Sequence, residues 1–370
     1  MLTGNIGKPG SGVNPLRGQN NVQGACDMGA LPNVYPGYQA VASEPVKEKF
    51  EAAWACALPQ PKAGLTITEM FEAAHSRQIK AMYIMGENPV LTEPDAKHAI
   101  EALQRLEFLV VQDCFLTETV QYAHIVLPST TFAEKDGTFT NTERRVQRVR
   151  KAIEPVGNSQ PDWRIIGQVG QRMGSSGFDF SSPSQIMDEI TRLTPSYGGI
   201  SYRRLEKGGL QWPCPTKEHP GTPILHTTQF TRGKGKFLPL EYKPAMELAD
   251  DDYPLILTTE RSLFQFHTGT MTRKVVGLNV LRGEELVEIN PKDASALGIT
   301  DGEMVKVISR RGEVIAKAKV TDISPVGVVF MTFHFAESPT NVLTNPALDP
   351  VAKIPEFKVC AVRVEKNGHK

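Results

Sequence analysis

The sequence predicts an α/β portion built on a parallel sheet, followed by a C-terminal domain of the β-barrel type. Two patterns support this fold class. Between residues 81 and 127, three short apolar runs alternate with segments of helical period, which is typical of parallel βαβ units. After Tyr253, short segments alternate apolar and polar residues, with turn residues between them, which indicates an all-β domain.

Composition is that of an ordinary globular protein. The 370 residues, 40% hydrophobic and 22% charged, allow two or three domains of roughly 100–200 residues each. Lys and Arg (41) balance Asp and Glu (41), so charge gives no reason to expect nucleic acid or an anionic membrane as partner.

No apolar stretch approaches the roughly 18 residues of a membrane span, and the N-terminus has no signal-peptide pattern. We therefore expect no membrane insertion and a cytoplasmic location.

The five cysteines occur singly and form no CxxC motif. An odd number of scattered cysteines in a chain of this size is typical of reduced thiols. We expect no cysteine metal site here, so any iron–sulfur cluster must be bound by another polypeptide.

The first forty residues are rich in Gly, Asn, Gln and Pro and show neither helical nor strand period. Long segments of this kind are functional loops or disordered linkers. Because this one ends in Leu31, Val34, Tyr35 and Tyr38, we expect an ordered loop packed against something large.

Helical segments follow. One helix is predicted by Val46, Phe50, Ala53 and Trp54, which share a face. The next is predicted to begin after residue 66, because Thr and Glu at positions 66 and 69 form a capping-box pattern. Two further helices are expected at residues 94–105 and 117–123.

Three strands are predicted at residues 81–85, 108–111 and 125–127, each buried on both faces. Each ends in polar or turn-forming residues, namely Gly86-Glu87-Asn88-Pro89, Gln112-Asp113 and Pro128-Ser129-Thr130. Ligands of parallel sheets lie beyond the carboxyl ends of the strands, so a nucleotide-like ligand is one interpretation. The other is that these residues only form turns.

Residues 175–250 are loop-rich, and the β domain follows. A helical turn at residues 293–297 is closed by Gly298, and a hairpin turns at Arg311-Gly312 with Val314, Ala316 and Ala318 facing inward. The sequence thus divides into a loop region (1–40), an α/β portion (41–175), a connection (176–250) and the β domain (251–370).

Several motifs closely resemble the molybdopterin-dependent formate dehydrogenases of the dimethyl sulfoxide reductase superfamily. The most specific is the string at residues 17–29, Arg-Gly-Gln-Asn-Asn-Val-Gln-Gly-Ala-Cys-Asp-Met-Gly. Residues 83–89, 111–113, 126–129, 261–272 and 355–362 resemble the family too, in the same order. The resemblance covers essentially the whole chain, although its barrel motifs are shared more widely.

The resemblance implies the C-terminal part of a catalytic subunit, with a double-psi-like barrel. It implies reversible two-electron oxidation of formate to carbon dioxide at a bis-molybdopterin guanine dinucleotide centre with molybdenum or tungsten. It also implies a cysteine or selenocysteine as metal ligand, an adjacent histidine and a 4Fe-4S cluster, all in a preceding N-terminal half of the subunit. Cys26 does not match the position of the metal ligand. Iron–sulfur or flavin electron-transfer subunits are the other implied partners. We expect the chain alone to be an incomplete enzyme.

Arg17 matches the substrate-side arginine of the family. A guanidinium can bind the planar carboxylate of formate through two parallel hydrogen bonds and stays charged at any working pH. Gln19 is expected to bind the pterin. The alternative for Arg17 is a surface residue in a glycine-rich turn.

Asp113, Thr117, Ser129 and Asp162 match or border positions around the guanine nucleotide. A carboxylate suits guanine because it accepts hydrogen bonds from both donors on that edge of the base. For Asp162 the alternative is an acidic residue at a helix N-terminus.

A second group matches the family's cofactor loop and the end of the barrel. Arginine with hydroxyl groups suits pyrophosphate oxygens, and the group comprises Arg261, His267, Thr268, Thr270, Asn341 and Lys358. Ser262 and Phe266 depart from the family pattern, which leaves their two contacts open.

Two alternative functions remain at this stage. An assimilatory nitrate reductase would use the same cofactor, but the loop at residues 17–21 argues against it. A non-catalytic cofactor-binding or assembly half-subunit is the other.

Overall fold

The computed structural model describes residues 2–368, and the chain forms two compact units. Unit 1 combines Met1–Thr66 with Leu127–Leu240, and unit 2 combines Ile67–Val126 with Glu241–Lys370. Each unit is therefore built from two separate stretches of the chain. In the described residues, no helix is both long and apolar enough to cross a membrane.

The described residues contain ten α-helices and fourteen strands. The helices are α1 (Val22–Asp27), α2 (Glu44–Trp54), α3 (Ile67–His75), α4 (Pro89–Thr92), α5 (Ala96–Gln104), α6 (Asp162–Arg172), α7 (Pro183–Leu193), α8 (Tyr202–Leu205), α9 (Val276–Leu281) and α10 (Pro291–Leu297). The strands are β1 (Val34–Tyr35), β2 (Gln39–Ala40), β3 (Ala81–Met85), β4 (Phe108–Asp113), β5 (Ile125–Pro128), β6 (Gly137–Thr140), β7 (Arg145–Val149), β8 (Leu210–Gln211), β9 (Leu255–Thr259), β10 (Leu286–Ile289), β11 (Met304–Ile308), β12 (Glu313–Val320), β13 (Val328–Met331) and β14 (Cys360–Lys366).

The predicted parallel sheet is confirmed in the order β3-β4-β5, with β3 and β4 parallel. Strand β4 is buried after its first residue, Phe108, but Tyr83 and Met85 of β3 are 43% and 49% exposed. On β5, Ile125 and Val126 are 43% and 38% exposed. The expectation that all three strands are buried on both faces is therefore wrong for β3 and for β5. The reason is that α3 and α5 pack on one face, where they cover Met82 and Ile84, and the described residues leave the other face of β3 open.

The C-terminal domain is a closed six-stranded barrel in the order β10-β12-β11-β14-β9-β13. The pairs β10–β12 and β9–β13 are parallel, and the others are antiparallel. The predicted hairpin is confirmed, with Val305 opposite Ala316 and Val307 opposite Val314. Val314, Ala316 and Ala318 are at most 4% exposed, and α10 ends at Gly298 with φ 66°, as predicted.

Unit 1 holds the antiparallel sheet β6-β7-β8 and three helices that the sequence analysis did not predict, α1, α7 and α8. Helix α7 begins with an N-cap, since the Ser182 side chain accepts a hydrogen bond from the backbone N–H of Gln185. Pro183 fills its first position, where a missing N–H has no consequence. The loop-rich interpretation of residues 175–250 was therefore wrong over this stretch.

The segment before α1 does not pack as expected. Residues 8–20 are all exposed, and Leu16 is 100% exposed. Within residues 2–368, nothing covers this stretch, so its expected packing partner is not found there.

Candidate functional site

The first cluster, in unit 1, begins where the exposed loop meets α1. The Nη2 of Arg17 donates to Oε1 of Gln23 over 3.0 Å. Asn21 precedes α1 with φ 61°, and its Oδ1 accepts from the backbone N–H of Thr140 on β6 over 2.9 Å. A Cβ at Gly24 would lie 2.1 Å from that Oδ1, so only glycine permits this anchoring of α1 to β6.

Asp27, at the end of α1, is the centre of this cluster. Its side chain is 0% exposed and accepts four hydrogen bonds. Oδ1 accepts from Gln23 Nε2 over 2.7 Å and from the Tyr38 hydroxyl over 2.9 Å. Oδ2 accepts from the Tyr197 hydroxyl over 2.5 Å and from Trp212 Nε1 over 2.7 Å. Four converging hydrogen-bond donors thus compensate the negative charge of the buried carboxylate.

The two tyrosines of this cluster remain protonated donors. Burial, together with the nearby negative charge of Asp27, raises the pKa of both Tyr38 and Tyr197 well above the usual range. Because Gln23 binds both Arg17 and Asp27, the loop residue Arg17 is tied to the buried centre of unit 1.

Sequence reasoning did not single out Gln23 or Asp27. Their spacing of four residues on one helix face was the available signal. No local signal could have found Tyr197 and Trp212, because they lie 170 and 185 positions from Asp27.

Arg17 and Gln19 line one cleft of about 290 Å³. Its other walls are mainly amide and hydroxyl side chains, including Asn21, Thr140 and Gln147. The structure therefore brings the predicted substrate and pterin residues to the same polar surface.

The second cluster lies in unit 2 and unites three predicted cofactor residues, Thr117, Thr268 and Thr270. They line a cleft of about 200 Å³ together with Arg273 and Lys274. The Oγ1 atoms of Thr268 and Thr270 are 3.1 Å apart. In residues 2–368, the buried Oγ1 of Thr117 has no hydrogen-bond partner. Such an orphaned hydroxyl is costly and is chemically suited to an oxygen-rich ligand.

The loop that carries Thr268 and Thr270 is held by hydrogen bonds of the His334 side chain. His334 is 1% exposed; its Nε2 accepts from the backbone N–H of Ser262 over 2.9 Å, and its Nδ1 donates to the carbonyl of His267. Burial, with a smaller contribution from Arg261, lowers the pKa of His267, and burial likewise lowers that of His334. Both imidazoles are therefore neutral near pH 7. Arg261 lies 5.3 Å from the ring of Phe333.

The remaining predicted residues of unit 2 are placed apart from the threonine cleft. Asp113 ends β4, and its Oδ1 accepts from the backbone N–H of Phe115 over 2.8 Å. Lys358 donates to the carbonyl of Thr259, and burial lowers its pKa. Asn341 is 3% exposed.

The amide nitrogen of Asn341 is already engaged within the protein. Its Nδ2 donates to the carbonyls of Leu91 and Thr92, over 2.7 and 3.3 Å. This joins the barrel to α4, and the cofactor contact of Asn341 stays a prediction.

Ser129 and Asp162 belong to unit 1. Ser129 is 8% exposed and forms a β-bridge with Gln160. Asp162 is the first residue of α6, where a negative charge is favourable, and it forms an ion pair with Lys135. This placement matches the helix-terminus alternative for Asp162, while its contact with a nucleotide stays a prediction.

The chain thus combines a parallel sheet, a closed barrel and a hydroxyl-lined cleft beside basic side chains, and hydroxyl and basic groups are the donors that suit phosphate oxygens. Residues 1–172 match the family model described as molybdopterin oxidoreductase, and residues 255–361 match the one described as molydopterin dinucleotide binding domain. The chain belongs to the molybdopterin oxidoreductases, which confirms the resemblance drawn from the sequence.

Curated relatives are similar along nearly the whole chain. It is 55% identical over 369 residues to the F420-dependent formate dehydrogenase subunit alpha of Methanocaldococcus jannaschii, covering 99% of this chain and 54% of that protein. It is 40% identical over 371 residues to formate dehydrogenase H of Escherichia coli, covering 99% and 52%. The chain thus spans about half the length of these relatives.

A solved structure supports the fold. Acetylene hydratase from Pelobacter acetylenicus superposes with a TM-score of 0.65 at 16% identity, covering 87% of this chain and 49% of that chain.

Proposed function

We propose that this chain is part of the catalytic subunit of a formate dehydrogenase, which oxidises formate to carbon dioxide with release of two electrons and one proton, or runs the reverse reaction. The observation that carries this proposal is a pair of hydrogen bonds, one from Arg17 to Gln23 and one from Gln23 to the buried Asp27. These hydrogen bonds hold the positively charged guanidinium of Arg17 at the edge of a polar cleft that also contains Gln19. The 55% identity to a formate dehydrogenase alpha subunit supports the choice of substrate.

Arg17 binds and orients formate in this proposal. A guanidinium has five N–H donors, and the bond to Gln23 uses only one of them. The others suffice for a planar, two-point contact with a carboxylate. Because the Gln23 bond limits the rotation of the long side chain, less conformational freedom is lost when formate binds.

The cofactor proposed is bis-molybdopterin guanine dinucleotide with molybdenum or tungsten, which supplies the two-electron acceptor when it is bound. Thr117, Thr268 and Thr270, beside Arg273 and Lys274, offer hydroxyls and positive charge for phosphate oxygens. The orphaned Oγ1 of Thr117 supports this fit, because a phosphate oxygen would satisfy it.

The proposal includes further cofactor contacts. Gln19 would bind the pterin, and Asp113 the guanine edge. Arg261, His267 and Lys358 would border the dinucleotide, and the nucleotide contacts of Ser129, Asp162 and Asn341 stay proposals of the same kind.

The remaining part of the subunit would hold the metal ligand and a 4Fe-4S cluster. An iron–sulfur or flavin subunit would receive the electrons.

The test is Arg17→Ala in the complete enzyme. Losing a preorganised charged donor should lower kcat/KM for formate about 100- to 1000-fold. Arg17→Lys should restore only part of it, because an ammonium cannot reproduce the planar fork. Molybdenum or tungsten content should stay near that of the unaltered enzyme. Unchanged efficiency in Arg17→Ala would overturn the substrate role, and a loss in proportion to lost metal would make Arg17 a cofactor residue.

A further inference from the structure

Away from both clusters, α3 and α5 of unit 2 carry two histidines and two glutamates that meet at their exposed side. Glu72 and His75 are three residues apart on α3, and His98 and Glu101 are three apart on α5. This spacing puts each pair on one face of its helix. The two helices pack through a shared core that includes small residues, which brings their axes close; these are Ala74, Ala99 and Ala102.

The four side chains are paired crosswise between the helices. His75 Nε2 lies 3.2 Å from Glu101 Oε2, and His98 Nε2 lies 3.3 Å from Glu72 Oε2. The two imidazole rings stack with centroids 4.5 Å apart. Ligand atoms of Glu72, His75 and His98 all lie within 4.8 Å of one another.

We propose that Glu72, His75, His98 and Glu101 bind one divalent transition-metal ion, with Zn²⁺ as the best chemical match, and that the ion cross-links α3 to α5. Tetrahedral zinc holds nitrogen and oxygen ligands at about 2.0–2.2 Å, so neighbouring ligand atoms lie about 3.3–3.5 Å apart. The two imidazole–carboxylate separations, 3.2 and 3.3 Å, agree with that edge length. The other separations among Glu72, His75 and His98 lie within 4.8 Å, and any that exceed the tetrahedral edge must shorten, which partly exposed side chains can do by rotation. Imidazole ligands favour zinc over magnesium or calcium.

The competing explanation is two independent surface pairs. The histidine side chains are 26% and 35% exposed and the glutamates 70% and 56%, and exposed pairs of this kind contribute little to stability. Each imidazole would then only donate to one carboxylate. The metal proposal predicts a different result, because all four side chains would bind the same ion.

Arg105 opposes the metal and so gives a sensitive test. Its Nη1 donates to the carbonyl of His75 over 2.6 Å and lies 3.3 Å from His75 Nδ1. When Nε2 binds a metal, Nδ1 carries the proton, and Arg105 can no longer donate to it. Removing this positive charge should therefore strengthen metal binding.

The experiment is a Zn²⁺ titration of the full, untagged chain against a chromophoric chelator. Cys56 and Cys114 are exposed thiols that could also bind zinc, so all proteins carry Cys56→Ser and Cys114→Ser. We expect one ion per chain and at least about tenfold weaker binding in His75→Ala and in His98→Ala. Arg105→Gln should bind several-fold more tightly. His226→Ala, at an exposed histidine of unit 1, should leave the affinity unchanged.

Glu101→Gln is a second variant with little effect on shape, and it should also weaken binding. Far-ultraviolet circular dichroism checks that each variant is folded. Absence of a one-to-one site tighter than about 1 mM, or equal affinities in His98→Ala and His226→Ala, would overturn the proposal. No turnover is measured, so the result does not depend on the function proposed above.

Discussion

Gln23 donates a 2.7 Å hydrogen bond to the buried carboxylate of Asp27. The same side chain accepts from Arg17 over 3.0 Å. A residue of an exposed loop is thereby oriented by a carboxylate that also receives hydrogen bonds from Tyr38, Tyr197 and Trp212.

We expect Gln23→Leu to lower kcat/KM for formate about tenfold in the complete enzyme, because Arg17 loses its positioning contact. If Gln23 acts through Arg17, the effect should vanish in an Arg17→Ala background, which a double-mutant cycle measures. Tyr197→Phe removes a donor from the other oxygen of Asp27 and is the matched control. Additive effects of Gln23→Leu and Arg17→Ala would mean that Gln23 has a separate role.

Asp27→Asn should destabilise the chain by about 2–4 kcal/mol. The amide N–H₂ of asparagine would replace one carboxylate oxygen, and it cannot accept hydrogen bonds from the two donors there. Two donors meet each carboxylate oxygen, so neither orientation of the amide avoids the clash. Chemical denaturation of the full chain measures this. Asp179→Asn, at an exposed position, is the control, and equal stability of the two variants would contradict the buried network.

Thr117→Val should have opposite effects on the stability of the chain and on its cofactor content. Without cofactor it removes an orphaned buried hydroxyl, so stability should rise by up to about 1 kcal/mol. In the complete enzyme it should reduce molybdopterin content. Thr119→Val is the contrast, since the Thr119 hydroxyl donates to Asn88 Oδ1 over 2.7 Å and its loss should destabilise. A Thr117→Val enzyme with full cofactor content would exclude this hydroxyl as a contact.

Glu93 should make stability fall as pH rises. Burial, and then the charge of Glu87, raise the pKa of Glu93 from 4.5 to about 7. The folded state keeps the proton that the unfolded chain has lost, so stability present below pH 4.5 is lost as pH rises towards 7. Glu93→Gln should therefore match the unaltered chain at pH 4.5 and be more stable at pH 8, by up to about 3 kcal/mol. Thermal unfolding at the two pH values measures this, and a gain of equal size at both would rule out titration of Glu93 as the cause.

Local pattern predicted the barrel more closely than it predicted unit 1. The strand from Val314 to Ala318 alternates cleanly because one side of a barrel strand is always buried. Its register with Val305 follows from the turn at Arg311-Gly312, a short-range feature. Helix α7 was missed because its apolar residues are separated by polar ones within a segment rich in Ser, Gly and Pro, although Ser182-Pro183 carried the signal for its start.

The candidate site divides in the same way. The string containing Arg17 and Gln19 could be identified from the sequence because it is continuous, and the pair Thr268 and Thr270 is local as well. Sequence alone determined the family, the fold class and these contiguous motifs. Only the tertiary structure decided that Asp27 would be buried against Tyr197 and Trp212, and that Thr117 would join the threonines of the barrel. Such contacts depend on packing between segments more than 100 residues apart, and no local pattern of hydrophobicity or turn residues encodes which distant side chains will meet.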